Sequence, residues 1–345
     1  MPGKVENKNI YLNINHAIPM AYEKRLQKFR EGVADGTAFL DSSDYNNNRE
    51  LSGKKVRESG KKVVRRIKRN GGMIASNTSS TQAENQYLTE GSFNGIGIFE
   101  LGGFVGLPNQ KEALRYYPIS QTEMIATADA LTANKDSIFC LAFSPRYVKG
   151  KESGSVVYVN PQITNEGIVE QTAKKHFSVG EPFDKSNVTQ DLEVFLDMLL
   201  SQEYKGRICM LQIRFNEKKD PKQVFKGLHV QTDTTGRTFI TPEGVDKKTT
   251  FLHTLDDIYQ IPPSEQIVVG GDSGRGESGQ ELGTDIPLFT IPGVRHLAVS
   301  DLSLAHEAEG IKGTTTYAST IEEGWAVLNG IIQTQNKDLS VAKKK

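Results

Sequence analysis

Apolar residues fall at helical spacing in the first fifth of the chain and in short strand-like runs after that. Tyr22, Leu26, Phe29 and Val33 recur every three to four residues, and Gly36 follows where a helix would stop. Residues 41–50, DSSDYNNNRE, form a polar loop. The segment 53–69 sets Val56, Val63, Val64 and Ile67 on one face, and Gly71 and Gly72 end it, which predicts a helix. Residues 74–88, rich in Ser, Thr, Asn and Gln, read as an ordered loop or short linker. Strands are predicted over 137–143, 155–159, 207–215, 237–241, 266–269 and 296–300. Helices are predicted over 121–133 and 190–203, and over 249–259, where Phe251, Leu252, Leu255, Ile258 and Tyr259 make a stripe. No regular βαβ rhythm runs through the middle and no repeat of 20–50 residues is present. The expected class is therefore α+β, with a mixed or antiparallel sheet covered by helices.

Composition narrows the picture without deciding it. The 345 residues are 37% apolar, enough for a sizeable core in two domains or one large one. No apolar run is long enough to span a bilayer, and the N-terminus lacks the apolar core of a signal peptide, so a reducing cytoplasmic setting is expected. Cys140 and Cys209 lie in apolar runs, where a thiol packs as a small hydrophobe. Neither they nor the scattered His16, His176, His229, His253 and His296 show metal-ligand spacing, so no metal site is expected. Lys plus Arg and Asp plus Glu are 42 each, which leaves no global field. Nine of those bases lie between Lys54 and Arg69 beside a single acid, Glu58. With no aromatic residue interleaved, that run reads as a solvated helix face and nucleic acid as an unlikely partner. Asp256-Asp257 and Glu322-Glu323 read as surface charge, and the glycine-rich stretch 270–283 as a surface loop.

Residues 292–332 carry the most specific pattern. An apolar strand ends in Asp301-Leu302-Ser303, and a loop of small and polar residues reaches Gly310. Thr314, Thr315 and Thr316 then offer N-caps to a helix with the stripe Ile321, Trp325, Leu328 and Ile332. A helix start aimed at the carboxyl end of a strand suits an anion or an electron-rich ring, because free N–H groups and the helix dipole converge there. The pattern resembles the C-terminal signature of the glucose-methanol-choline oxidoreductases, especially their cholesterol-oxidase-like branch. That signature is an apolar strand, D-x-S, a loop, then G-x-N-P-x-x-T opening the last helix. It lies without gaps on Asp301, Ser303, Gly310, Lys312, Gly313 and Thr316. Phe143-Ser144-Pro145-Arg146 with Gly154-Ser155-Val156-Val157 resembles that family's substrate-domain strand.

The resemblance implies FAD, oxidation of a CH–OH group and a small-molecule alcohol as substrate. Asp301 would lie near the ribityl chain, Ser303, Gly310 and Gly313 in the cofactor-binding turn, and Thr314, Thr315 and Thr316 at the flavin's pyrimidine edge. It also implies a division into a helical and loop region (1–88), a substrate-domain-like region (89–265) and a flavin-facing strand–helix segment with a basic tail (266–345). The sequence departs from the family at two places. The catalytic histidine is missing from Val268-Val269-Gly270-Gly271, and its partner position holds Lys312, which leaves Lys312 or His306 as the base. No G-x-G-x-x-G is present; Gly95-Ile96-Gly97 comes nearest, but Glu100 occupies the third glycine position. The chain therefore resembles the distal half of such an enzyme, needing a partner chain for the dinucleotide half. A non-catalytic scaffold on that fold and a polyanion binder using the 54–69 helix are the alternatives.

Overall fold

The computed structural model describes residues 11–12, 37–40, 53–69, 72–79, 82, 93–107, 110, 112–146, 154–163, 165–176, 185–216, 219–233, 236–272, 274–275 and 283–342. The expected helix at 22–33 and the polar loop at 41–50 lie outside them.

Five strands form a wholly parallel sheet: β2 (Thr37–Leu40), β3 (Met73–Ser76), β13 (Ile267–Gly271), β14 (Arg295–Val299) and β15 (Thr315–Ala318). Their order is β15-β14-β13-β2-β3, so the direction of winding reverses between β2 and β13. Because side chains alternate along a strand, the sheet has two apolar faces. Ile74, Val268, Leu297 and Val299 pack on one face against Val63, Val64 and Ile67 of α1 (Gly53–Arg69) and Trp325 and Leu328 of α9 (Ile321–Ala342). Met73, Ala75, Ile267, Val269 and Ala298 pack on the other, against helices α6 (Lys247–Thr254), α7 (Ile286–Phe289) and α8 (Leu302–Glu307). Helices on both faces of a parallel sheet define a doubly wound α/β layer. The segment that read as a loop at 74–88 thus opens with the last three residues of β3, the strand at one edge of the sheet.

A second sheet lies in sequence between these halves. β7 (Ile138–Phe143), β8 (Val156–Val159), β9 (Val188–Thr189), β10 (Leu211–Phe215), β11 (His229–Thr232) and β12 (Thr238–Thr241) are ordered β11-β12-β10-β7-β8-β9, antiparallel except for β8 with β9. Helices α2 (Gln121–Ala133) and α4 (Leu192–Leu200) cover one face through Met124, Leu131, Phe195 and Leu199. Helix α3 (Glu166–His176) covers part of the other through Ala173. α2 starts on a capping box, in which Ser120 Oγ accepts Glu123 N–H (3.2 Å) and Glu123 Oε2 accepts Ser120 N–H (2.8 Å). The mixed α+β character expected of the middle of the chain is therefore present, but the module is an insertion over a parallel sheet that the sequence reading did not foresee. The four-residue α5 (Pro221–Val224) completes its helices.

A third, antiparallel sheet, β1 (Tyr11–Leu12), β6 (Ala113–Tyr116), β5 (Phe104–Gly106) and β4 (Gly97–Phe99), lies beside β3, to which Ile98 is bridged through Asn77. Among the described residues no helix is long and apolar enough to cross a membrane.

Candidate functional site at the carboxyl ends of the parallel strands

Open parallel sheets bind ligands beyond the carboxyl ends of their strands, where the winding reverses, because two neighbouring loops diverge there and leave a crevice. In this chain that point lies between β2 and β13. The residues closing the strand ends are Ser76, the last of β3, with Asn77 and Thr78 after it, and Asp272 after β13. The residue that follows β2 in sequence is Asp41.

The first residue of α6, Lys247, is wholly buried. Its Nζ lies 2.5 Å from Oδ1 of Asp285, which is also wholly buried. Asp246 caps the helix, accepting Thr249 N–H at 2.6 Å, which fixes where Lys247 starts. Asp285 immediately precedes α7, and its Oδ2 accepts the N–H of Asp272 at 3.1 Å. The carboxylate fits only because β13 ends in glycine: a Cβ placed on Gly271 would lie 2.8 Å from Asp285 Oδ2. Asn77 closes the third side. Its Nδ2 donates to Lys247 O (3.4 Å), while its buried Oδ1 has no hydrogen-bond partner among the described residues. A buried ammonium, its partner carboxylate and an open amide oxygen thus lie together where the sheet reverses, with the backbone of Asp272 tied to the same carboxylate. Charges this well buried persist only when paired, which Lys247 and Asp285 are.

The residues expected from the sequence lie elsewhere. Asp301 follows β14, but its carboxylate is engaged: Oδ1 accepts Ser303 N–H (2.9 Å) and Ser303 Oγ–H (2.6 Å), and Oδ2 accepts Gly274 N–H (2.9 Å). It caps α8 and holds the start of the loop after β13. Thr315 and Thr316 form an edge strand, paired with His296 and Leu297 of β14, in place of a helix start. Thr314, Gly313 and Lys312 precede that strand, at the amino end of the sheet opposite Asp301. Lys312 O accepts Gly293 N–H at 2.5 Å, and the Lys312 side chain is exposed. Gly310 turns the chain at φ 77°. His306 is exposed on α8 and lies 2.7 Å from Glu309. Asp301 and the threonines therefore point to opposite ends of the sheet and frame no common pocket. The last helix starts only at Ile321, after Thr320 Oγ1 has accepted Glu323 N–H (3.1 Å).

Burial pushes the Cys140 thiol up to about 12 and Cys209 up as well, which disfavours the thiolate where each packs as a small apolar group. Burial lowers the imidazole of His296, which stacks on Phe289 with centroids 5.3 Å apart. No cluster of three or more His, Cys, Asp or Glu residues able to hold a metal occurs among the described residues.

No protein-family model matches the sequence, and no curated protein matches it. Solved structures do match the fold. A HAD subclass IIB sugar phosphatase superposes with a TM-score of 0.57 at 14% identity, over 86% of this chain and 99% of that one. A HAD-superfamily phosphatase from Bacteroides thetaiotaomicron gives 0.55 at 17% identity, over 88% and 97%. A member of a phosphoryl-transfer superfamily whose structures show a trigonal-bipyramidal intermediate gives 0.56 at 13% identity, over 88% and 98%.

These likenesses overturn the expected membership of the glucose-methanol-choline oxidoreductases, and with it FAD and flavin-linked oxidation of an alcohol. They give no better support to a scaffold or polyanion binder on that fold. The matched chains are covered almost end to end, so a partner chain carrying a dinucleotide half is not supported either. The resemblance failed because a strand–loop–threonine pattern of some twenty residues is satisfied equally well by a parallel edge strand. At these identities the comparisons establish one thing: the chain has the fold of the HAD-superfamily phosphatases.

Proposed function

We propose that the chain catalyses phosphoryl transfer, releasing phosphate from a monoester, with the Asp41 carboxylate as nucleophile. The observation that carries this reading is the buried Lys247–Asp285 pair at the reversal point of the parallel sheet. Phosphoryl transfer asks the protein mainly for positioning and for cationic charge beside the phosphoryl oxygens. Lys247 supplies that charge, and Asp285 holds it in place. Asp41 follows β2 in sequence, and β2 is the strand that pairs with β13 at the reversal point and with β3 on its other edge.

A carboxylate can attack phosphorus directly to give an acyl phosphate. As the Asp41 oxygen bonds to phosphorus, the bond to the leaving oxygen breaks and that oxygen takes a proton. Asp44, the next acid in the sequence, is the donor in this scheme. Water then cleaves the acyl phosphate, returning its proton to Asp44 and releasing inorganic phosphate with Asp41 restored.

Charge on a transferring phosphoryl group calls for a hard dication such as magnesium. Asp272 and the open Oδ1 of Asn77 are oxygen donors of the kind a hard dication takes, Asp41 would add a second carboxylate, and one or two carboxylates with phosphate and water satisfy such an ion. When bound, it would neutralise charge on the phosphoryl oxygens. The antiparallel module inserted beside this crevice is the element placed to select the alcohol portion of the substrate.

The test is phosphate release from p-nitrophenyl phosphate with magnesium present. The wild type should turn over and D41N should not. Brief acid quenching of the wild type should leave one hydroxylamine-sensitive phosphoryl group on the protein. Equal turnover by D41N would remove Asp41 from the nucleophile's role.

A further inference from the structure

Between β4 and β5, three consecutive residues have left-handed backbones: Glu100 (φ 51°), Leu101 (φ 55°) and Gly102 (φ 101°). Only the last is a residue that adopts this region freely, so the turn is held by its surroundings. Those surroundings belong to three different parts of the molecule. Leu101 N–H donates to Thr78 O (3.2 Å), at the carboxyl end of β3. Gly102 O accepts Thr250 Oγ1–H (3.0 Å), and a Cβ on Gly102 would lie 2.4 Å from Asp246 O, so the turn presses on the cap of the helix that begins with Lys247. The Leu101 side chain packs against Met210 and Phe239 of the inserted module.

Glu100 makes the fourth contact. Its carboxylate pairs with Arg146, which lies three residues after β7 in the inserted module, and the two side chains are 1% and 10% exposed. Arg146 is itself fixed. Its guanidinium lies 4.9 Å over the Phe104 ring, its N–H donates to Arg207 O (2.6 Å), and Arg207 Nε–H donates back to Arg146 O (2.9 Å). A buried ion pair adds little net stability over apolar packing, yet it tolerates only one arrangement of its partners. Here that arrangement spans the two modules.

We propose that Glu100 is a positioning residue: its pairing with Arg146 latches the inserted module onto the parallel-sheet module beside the crevice. Without the pair, the interface opens while each module stays folded. The inference rests on this interface alone and stands whichever reaction the crevice performs.

Cys209 supplies the readout. It is fully buried in the inserted module, and a Cβ on Gly103 of the other module would lie 2.6 Å from its Cβ, so the interface covers it and parting the interface exposes it. In a C140A background, the rate of Cys209 modification by a disulfide reagent such as Ellman's reagent is measured under native conditions. E100Q and R146M should each raise that rate by roughly fifty-fold or more, because removing one partner strands the other in a buried site. R146K, which keeps the charge and loses the forked donor, should fall between them and the wild type, and it serves if R146M does not fold. L328A, which weakens the far face of the parallel sheet, controls for global unfolding and should leave the rate near that of the wild type. Unchanged modification in E100Q and R146K, or equal acceleration in L328A, would overturn the latch.

Discussion

Asp285→Asn leaves the Lys247 ammonium without its counter-charge at a position where both side chains are 0% exposed. Removing one partner of a buried pair costs about 3–5 kcal/mol, most of it the expense of an uncompensated charge away from water. For a chain of 345 residues melting as one unit, that lowers Tm by about 4–7 °C. Replacing both partners with apolar residues of similar volume, in K247M/D285L, should recover most of the loss, since well-packed hydrophobic pairs match or exceed buried ion pairs. Phosphate release should be absent in both variants, which separates the pair's electrostatic role from its packing role. Thermal and urea denaturation of the two variants beside the wild type provide the assay. If D285N melted with the wild type, or if the double variant were as unstable as the single one, the assignment of a buried, mutually dependent pair would fail.

Gly271→Ala puts a methyl group 2.8 Å from Asp285 Oδ2. It should cost about 1–3 kcal/mol by overpacking and reduce turnover by displacing the carboxylate from Lys247, as read by denaturation and initial rates. His296 is held neutral by burial, so its folded pKa lies below its unfolded value. Above the unfolded value of about 6.5 both states are neutral and stability is complete; below it only the unfolded chain takes up the proton, and stability falls with pH. Urea midpoints at pH 5 and pH 7.5 should differ more in the wild type than in H296L. Chelating divalent cations should abolish phosphate release without lowering Tm by more than a degree or two, because Lys247 already neutralises Asp285; D272N should weaken the response to added magnesium.

Elements with strong local signals were legible in the sequence. The helix expected over 121–133 is α2, the one over 53–69 is α1, and the strands at 137–143, 155–159 and 237–241 are β7, β8 and β12 to within a residue. The stripe over 249–259 is α6 continuing into a π turn that stops at left-handed Gln260 (φ 56°). Elements without such signals were not found. The three-residue strands β4 and β5 begin or end in glycine and are too short to have a periodicity to read. β15 reads Thr-Thr-Tyr-Ala, which serves a helix cap as well as an edge strand, and only its pairing with β14 distinguishes them. The site itself was missed because it is made by convergence: Asn77, Lys247 and Asp285 are up to 208 positions apart in sequence. The available signal was two apolar strand-like runs each followed by an aspartate, TAFL before Asp41 and IVVGG before Asp272. Their significance depends on knowing that β2 and β13 are neighbours.

That adjacency governs how the molecule assembles. β2 pairs with β13 through Thr37 and Ile267, residues 230 positions apart. During synthesis β2 has one lateral neighbour, β3, until the whole intervening module has left the ribosome. Closing so long a loop is slow, and an apolar strand with an open edge invites pairing with other chains in the interval. Refolding should therefore be limited by docking of the C-terminal strands, and nascent chains truncated before residue 267 should depend on chaperones for solubility.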